Sequence, residues 1–248
     1  MELQMHYAEF KMPDAGLLQT LIERFPFAMI AINGVANPIV AQAPLTFRQV
    51  GTSSGALEFH LASQNPITKS VKNGTVATIV VNGPNAHISP SWYISSFCDA
   101  SADRSRTAPT WNYLSATLIG RLRQPTRVEL EEQIADMVAA HESADGWRFA
   151  EIDPRIFASW CDMLIGYRMD IVSFDLTAKL SQNQARDDKP GIASGLRLRA
   201  GMADNAVAVL IQGFDGTPAS VQTALANLQA TCPLEKRSAY HEPEIAGR

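Results

Sequence analysis

The sequence predicts a single α+β domain in which a barrel-like sheet carries a few helices and is followed by a helical C-terminal appendage. Segments with apolar residues at every second position recur along the chain, as expected for strands that bury one face. Amphipathic helices are fewer and do not alternate strictly with these segments, which disfavours a doubly wound parallel sheet. The 248 residues show no internal repeat and no composition break that would divide them into two domains.

The first half of the chain predicts one helix followed by strands. Asp14 is placed to cap a helix with one apolar stripe, which Pro26 ends. Residues 27–32 form a buried strand, and Asn33-Gly34 is a turn signal that leads into a second strand at 35–43. Further strands are predicted at 57–61, 75–81, 86–89, 113–122 and 163–174.

The second half adds helices to the sheet. Thr126-Arg127-Val128-Glu129 is a capping box that opens an amphipathic helix reaching His141. Residues 188–196 and 217–228 are also predicted to be helical, the latter with a Thr cap and Pro in its first turn. The polar stretch 94–108 is expected to be an exposed loop, and 233–248 a flexible tail.

The composition is that of an ordinary globular protein, with 46% apolar and 19% charged residues. The longest apolar run, residues 25–32, is far shorter than the roughly 18–20 residues of a membrane-spanning helix. The first six residues lack a basic start and an apolar stretch, so we expect a cytoplasmic protein without a secretory signal. The formal charge of −4 disfavours a broad nucleic-acid surface, which requires clustered Lys and Arg.

Common catalytic and metal-binding signatures are not found. The string Gly51-Thr52-Ser53-Ser54-Gly55 matches G-x-S-x-G, but a strand rather than a helix follows it, so a hairpin loop is favoured over a nucleophile elbow. The sequence has no P-loop and no Rossmann glycine pattern. Its three cysteines form no C-x-x-C pair, and its five histidines are spread singly, which favours neither a disulfide framework nor zinc.

Three clusters of polar and aromatic residues rise above this background. They are His60-Leu61-Ala62-Ser63-Gln64-Asn65-Pro66, then Gly83 to Tyr93 together with Pro109-Thr110-Trp111-Asn112-Tyr113, and finally Lys179-Leu180-Ser181-Gln182-Asn183-Gln184. Tryptophan and tyrosine beside small hydrogen-bonding side chains suit a planar ligand that is both stacked and hydrogen-bonded. The alternative is that these aromatics belong to the core and these prolines to turns.

Taken together, these clusters resemble the PaiB family, described as FMN-binding negative transcriptional regulators. The resemblance is carried by Ser89-Pro90-Ser91-Trp92-Tyr93, Pro109-Thr110-Trp111-Asn112-Tyr113 and Lys179-Leu180-Ser181-Gln182-Asn183. His60-Leu61-Ala62 with Asn65-Pro66 fits the same pattern, and the likeness extends over residues 5 to 200.

The resemblance implies a split β-barrel like those of flavin reductases and pyridoxamine-phosphate oxidases, with peripheral helices and a helical C-terminal extension. It also implies a homodimer with FMN in a groove between the subunits. Residues 1–200 are then the FMN-binding split-barrel domain, 201–232 the helical extension packed on it, and 233–248 the tail. The implied cofactor-binding residues are His60, Leu61, Ser63 and Asn65 near the phosphate and ribityl chain; Ser89, Trp92, Thr110, Trp111 and Asn112 along the ring; and, from the same or the partner chain, Lys179, Ser181, Gln182 and Asn183.

One departure from the family pattern bears on affinity. Ser63 stands where the family usually has an arginine, and a hydroxyl cannot replace a bidentate arginine contact to phosphate at equal strength. We therefore expect weaker FMN binding than an arginine at this position would give.

Three functions follow as hypotheses. The first is a PaiB-like negative transcriptional regulator with flavin at its homodimer interface, in which DNA enters as a partner on the resemblance alone. The alternative is an FMN-dependent oxidoreductase, similar to flavin reductases, that does not bind DNA directly. A third hypothesis is a split barrel that holds haem, with His60 or His87 as axial ligand, or no cofactor.

Overall fold

The computed structural model describes residues 7–49, 55–97, 103–105, 107–143 and 145–228. Over these ranges it contains six α-helices and seven β-strands. The helices are α1 (Ala15–Arg24), α2 (Arg127–His141), α3 (Pro154–Cys161), α4 (Lys189–Arg199), α5 (Asp204–Gly213) and α6 (Pro218–Asn227). The strands are β1 (Phe27–Ile32), β2 (Ile39–Pro44), β3 (Thr46–Arg48), β4 (Ala56–Ala62), β5 (Val76–Ile88), β6 (Thr110–Arg123) and β7 (Leu164–Lys179).

The strands form one antiparallel sheet in the order β2-β1-β5-β6-β7-β4-β3. The long strand β6 lies between β5 and β7. The sheet curves so that β2 contacts β4, and the result is an open half-barrel. The predicted α+β class with a barrel-like sheet is confirmed.

The inner face of the half-barrel and four helices share one hydrophobic core. Ile30, Ile79 and Leu118 are fully buried on the neighbouring strands β1, β5 and β6. Helix α5 packs on β5, and α6 packs on α1, so the C-terminal helices cover the barrel. Their large fully buried side chains are Ile192, Leu196, Val207, Leu210, Ile211, Val221 and Leu225.

The predicted helix caps are confirmed, because a cap is decided by residues within one turn. The Asp14 carboxylate accepts a hydrogen bond from Leu17 N at 2.7 Å. Thr126 and Glu129 form the reciprocal capping box of α2, and Thr217 caps α6. Helix α4 also forms where residues 188–196 predicted one.

Some predicted boundaries are wrong. The strands predicted at 75–81 and 86–89 are one strand, β5, which runs from Val76 to Ile88 and crosses Gly83 and Pro84 through an irregularity between Asn82 and Asn85. A bulge tolerates proline because the extra residue need not donate to the neighbouring strand. Strand β7 continues five residues beyond the predicted end at 174. Helix α3 was not predicted from the sequence, and α5 was predicted only as part of the helical extension at 201–232, without bounds of its own.

The predicted tail at 233–248 lies outside the described residues. The same holds for residues 51–54 of the G-x-S-x-G string and for 98–102 and 106 of the predicted loop. The described part of residues 94–108 contains neither helix nor strand, as predicted.

Candidate functional site

A polar and aromatic surface lies on the outer face of the sheet, where the end of β5 meets the start of β6 and the end of β7. The strand register places Asn85 beside Tyr113 and Tyr113 beside Lys179, with His87 opposite Trp111. Because side chains alternate along a strand, these five lie on the outer face. Trp111 is 54% exposed, so its ring is accessible to a ligand.

A groove of about 390 Å³ runs along this surface. Its wall is formed by Asn82, Asn85, Trp111, Tyr113 and Ser115. The groove therefore offers two aromatic rings together with amide and hydroxyl groups. We call this surface the outer groove.

Lys179 supplies a positive charge at the edge of the outer groove. Its Nζ donates to Thr110 Oγ1 at 2.7 Å and lies 5.7 Å from the centre of the Phe10 ring. Among the described residues, no carboxylate forms a salt bridge with it. The charge is therefore free to pair with an anionic ligand group.

The turn that follows β7 contains Ser181 and Gln182 and is held by Asn112 of β6. Asn112 is fully buried and its Nδ2 donates to Ser181 Oγ at 2.6 Å. Ser181 has a φ of 59°, and Gln182 Oε1 accepts from Leu180 N at 2.6 Å. Asn112 and Ser181 thus point into the fold and hold the end of β7, whereas Asn183 is exposed.

The loop that carries Ser89 and Trp92 is held against α4. The Ser89 hydroxyl accepts from Ser91 N at 3.2 Å and begins a short 3₁₀ turn. The Trp92 ring packs on α4 so closely that a Cβ atom on Gly195 would lie 2.4 Å from it. The guanidinium of Arg199, one turn farther along α4, lies 5.2 Å from the ring centre.

A buried carboxylate fixes the next part of this loop. Asp188, at the start of α4, is fully buried and accepts hydrogen bonds from Ser95 N at 2.7 Å and Ser96 N at 3.0 Å. The Ser96 hydroxyl also donates to it. The pKa of Tyr93 is raised, first by burial and then by the charge of Asp188.

The His60 cluster lies elsewhere. His60 Nδ1 is 2.9 Å from Oε1 of Gln133 on α2, and Asn65 caps a 3₁₀ turn by accepting from Ile67 N. Leu61 is buried, whereas Ser63 is exposed.

The His60 cluster lies far from the outer groove along the sheet. His60 pairs with Gly166 on β7, so Lys179 lies 13 residues farther along that strand, roughly 40 Å at the usual rise per residue. Within one protomer the predicted site residues therefore form two separate groups, the His60 cluster and the outer groove with its neighbouring loop.

Several residues of the outer groove were not among the predicted cofactor-binding residues. Tyr113 belongs to the second sequence cluster but was not assigned to the site, and Ser115 could have been found because it alternates with Trp111 and Tyr113 along one strand. Asn82 and Asn85 flank the irregular part of β5, and Arg199 comes from a distant helix. No local pattern indicates Arg199.

The residues of the outer groove fit a flavin. Exposed aromatic rings suit a planar ring system, amides and hydroxyls suit its polar edge and the ribityl chain, and Lys179 suits an anionic group. By contrast, none of the described residues form a group of three or more His, Cys, Asp or Glu side chains that could hold a metal ion. No helix in the described ranges is long and apolar enough to cross a membrane.

Comparisons with known proteins agree with this chemistry. A family model described as "Putative FMN-binding domain" matches residues 5–173. The protease synthase and sporulation protein PAI 2 of Bacillus subtilis is 22% identical over 190 residues, which is 76% of this chain and 86% of that protein. An uncharacterized protein of Emericella nidulans is 24% identical over 208 residues, covering 73% of this chain and 80% of its own.

The solved structures show the same fold. The flavocytochrome Anf3 of Azotobacter vinelandii superposes with a TM-score of 0.55 at 12% identity, covering 75% of this chain and 77% of that one. The predicted split-barrel architecture is confirmed.

Proposed function

The chain belongs to the FMN-binding family whose model covers residues 5–173, and we propose that it is a PaiB-like regulator that holds FMN between two copies of itself. The resemblance to the PaiB family is confirmed by this membership and by the similarity to PAI 2. Flavin binding is supported by the family. The choice of FMN, the dimer and the regulatory role are proposals.

The proposal of a shared site rests on the distance between the His60 cluster and the outer groove. The His60 cluster and Lys179 lie roughly 40 Å apart along β7, a distance much longer than FMN. Both groups can contact one flavin only if they come from different protomers. A two-fold dimer provides two such sites, because each surface is used twice.

The outer face of the sheet offers a surface for the second copy. Met29 on β1 pairs with Val80 on β5. Two residues earlier on β5, Thr78 pairs with Ile119 on β6. Phe27, Ile119 and Val172 are 65%, 43% and 68% exposed. Apolar side chains gathered on one exposed face of an antiparallel sheet are typical of a protein interface. This face is continuous with the outer groove along β5 and β6.

The first experiment is a titration with FMN. The wild-type chain is expected to quench FMN fluorescence and to elute as a dimer. Lys179→Ala should weaken binding about tenfold, as expected for the loss of a charge-assisted contact. Lys72→Ala, at an exposed turn away from the outer groove, serves as the control. Absence of FMN binding by the wild-type chain would refute the proposal.

The regulatory role requires a separate test. Gel shifts with the DNA upstream of the protein's own gene, at low salt and with and without FMN, should show a complex that weakens as salt increases. Absence of a complex both with and without FMN would contradict direct DNA binding. Because low salt favours binding to DNA even for a chain with a net charge of −4, absence of a complex at low salt is decisive.

One observation favours an FMN-dependent oxidoreductase as the second candidate. The outer groove is open to solvent, and Trp111 at its wall is half exposed, so a second substrate could reach a flavin bound there. Consumption of NAD(P)H by the FMN-loaded protein would support this function. The visible spectrum of the purified protein tests the haem hypothesis, because haem gives a Soret band and flavin does not.

A further inference from the structure

Arg199, at the end of α4, joins the C-terminal helices to the outer groove. Its Nε and Nη2 donate to the two carboxylate oxygens of Asp204 at 2.8 and 2.5 Å. Its Nη1 lies 3.3 Å from Nδ1 of His87. Asp204 is 3% exposed, and Gly201 N also donates to it. The guanidinium is therefore fixed in orientation by a buried carboxylate.

This contact decides which nitrogen of His87 carries the proton. A guanidinium has only N–H donors and remains charged in proteins, so it cannot accept a hydrogen bond. His87 Nδ1 must then supply the lone pair, and the proton of the neutral imidazole resides on Nε2. His87 lies on the outer face opposite Trp111, with ring centres 6.3 Å apart and planes at 75°.

We propose that Arg199 is a positioning residue that, by fixing His87 as the Nε2–H tautomer, makes His87 a hydrogen-bond donor to an acceptor atom on the edge of a planar ligand in the outer groove. The ligand class is a flavin, whose ring edge carries carbonyl oxygens and unprotonated nitrogens. This inference rests on the proposed function and deepens it. It assigns a role at the ligand site to helices α4 and α5, which lie beyond the residues matched by the family model.

The tautomer can be measured without flavin. Long-range proton–nitrogen correlation spectra of the wild-type chain near neutral pH should show His87 with a protonated Nε2 and an unprotonated Nδ1. A His87 protonated at Nδ1 overturns the proposal, whatever the variants do. This measurement does not depend on any variant folding correctly.

A pair of conservative variants on α4 tests the role of Arg199. Arg199→Lys keeps a positive charge opposite Asp204, but an ammonium cannot hold the bidentate contact and also reach His87. We expect a mixture of His87 tautomers and FMN binding that weakens only in proportion to the lost Nε2–H fraction, about twofold for an equal mixture. Arg197→Lys is the matched control, because Arg197 bonds to Gln212 and has no contact with His87.

The outcomes separate this inference from the proposed function. If Arg199→Lys keeps the wild-type tautomer and FMN affinity, the positioning role is wrong. His87→Phe removes the donor altogether, so it should weaken FMN binding about tenfold, more than Arg199→Lys does, and unchanged affinity would also overturn the inference. If the wild-type chain binds no FMN, the proposed function fails together with the flavin as ligand, while the tautomer spectrum still decides whether Arg199 positions His87.

Discussion

Glu129 serves both the cap of α2 and an ion pair. Its carboxylate accepts from Arg123 Nη2 at 2.7 Å and from Thr126 N at 2.7 Å. These contacts lower the pKa of Glu129 from 4.5 to about 2, and the hydrogen bond from Arg123 has the largest effect. A carboxyl whose pKa is lower in the folded state stabilises the fold above its unfolded pKa and loses this contribution as the pH falls.

The pH dependence of unfolding should therefore carry a signature of Glu129. Glu129→Gln is expected to lower the free energy of unfolding at neutral pH, and its difference from the wild type should shrink as the pH falls from 4.5 to about 2. Urea unfolding over this pH range measures it. Glu132→Gln, on the exposed side of the same helix, is the control and should leave the free energy of unfolding at neutral pH unchanged.

Glu58 is a buried carboxylate between two arginines. It accepts from Arg48 Nε at 2.7 Å and from Arg168 Nη1 at 3.0 Å, and it is 6% exposed. Glu58→Gln would leave both cations without their shared buried anion, so we expect a loss of about 3 kcal/mol in the free energy of unfolding. Asp136→Asn removes the exposed partner of Arg48 and should cost about 0.5 kcal/mol. Equal losses in denaturant unfolding would contradict this assignment.

At the scale of elements, α4 depends on two glycines for its contact with the Trp92 loop. A Cβ atom on Gly191 would lie 2.3 Å from the Trp92 carbonyl oxygen, and one on Gly195 would lie 2.4 Å from the Trp92 ring. Gly195→Ala must therefore displace the loop, with an expected cost of about 2 kcal/mol. The near-ultraviolet circular dichroism of the tryptophans should change with it.

The control for this prediction is another helical glycine. A Cβ atom on Gly16, in the first turn of α1, would meet Asp14 Oδ1 at 3.4 Å, an ordinary contact. Gly16→Ala should then leave the spectrum unchanged and stabilise the fold slightly, because alanine favours helix more than glycine does. A wild-type spectrum for Gly195→Ala would show that α4 does not hold Trp92.

The elements also show what the sequence could predict. Caps and alternating strands were predicted correctly because they depend on near neighbours. Residues 201–232 were predicted to be helical as a whole, but α5 was not delimited within them. Val207, Leu210 and Ile211 have helical spacing, yet the residues between them are also largely apolar and obscure the polar side of the helix. The family resemblance singled out Trp111 and Asn112 together, but only the strand register shows that Trp111 faces outward while Asn112 is buried. The contact of Arg199 with His87 spans 112 residues and leaves no local signal.

At the scale of the whole molecule, the proposed dimer predicts how substitutions at His60 and Lys179 combine. His60 on β4 and Lys179 on β7 lie roughly 40 Å apart along the sheet. If one flavin contacts both, each site draws its two groups from different protomers. His60→Ala and Lys179→Ala should then each weaken both sites of their own homodimers.

Mixed dimers of these two variants distinguish a shared site from two independent ones. In a heterodimer of His60→Ala with Lys179→Ala, the two-fold axis gathers both substitutions at one site and leaves the other intact. Heterodimers isolated through two different affinity tags should bind about one FMN per dimer at wild-type affinity. If each protomer formed its site alone, both sites would stay damaged, and no high-affinity binding would return.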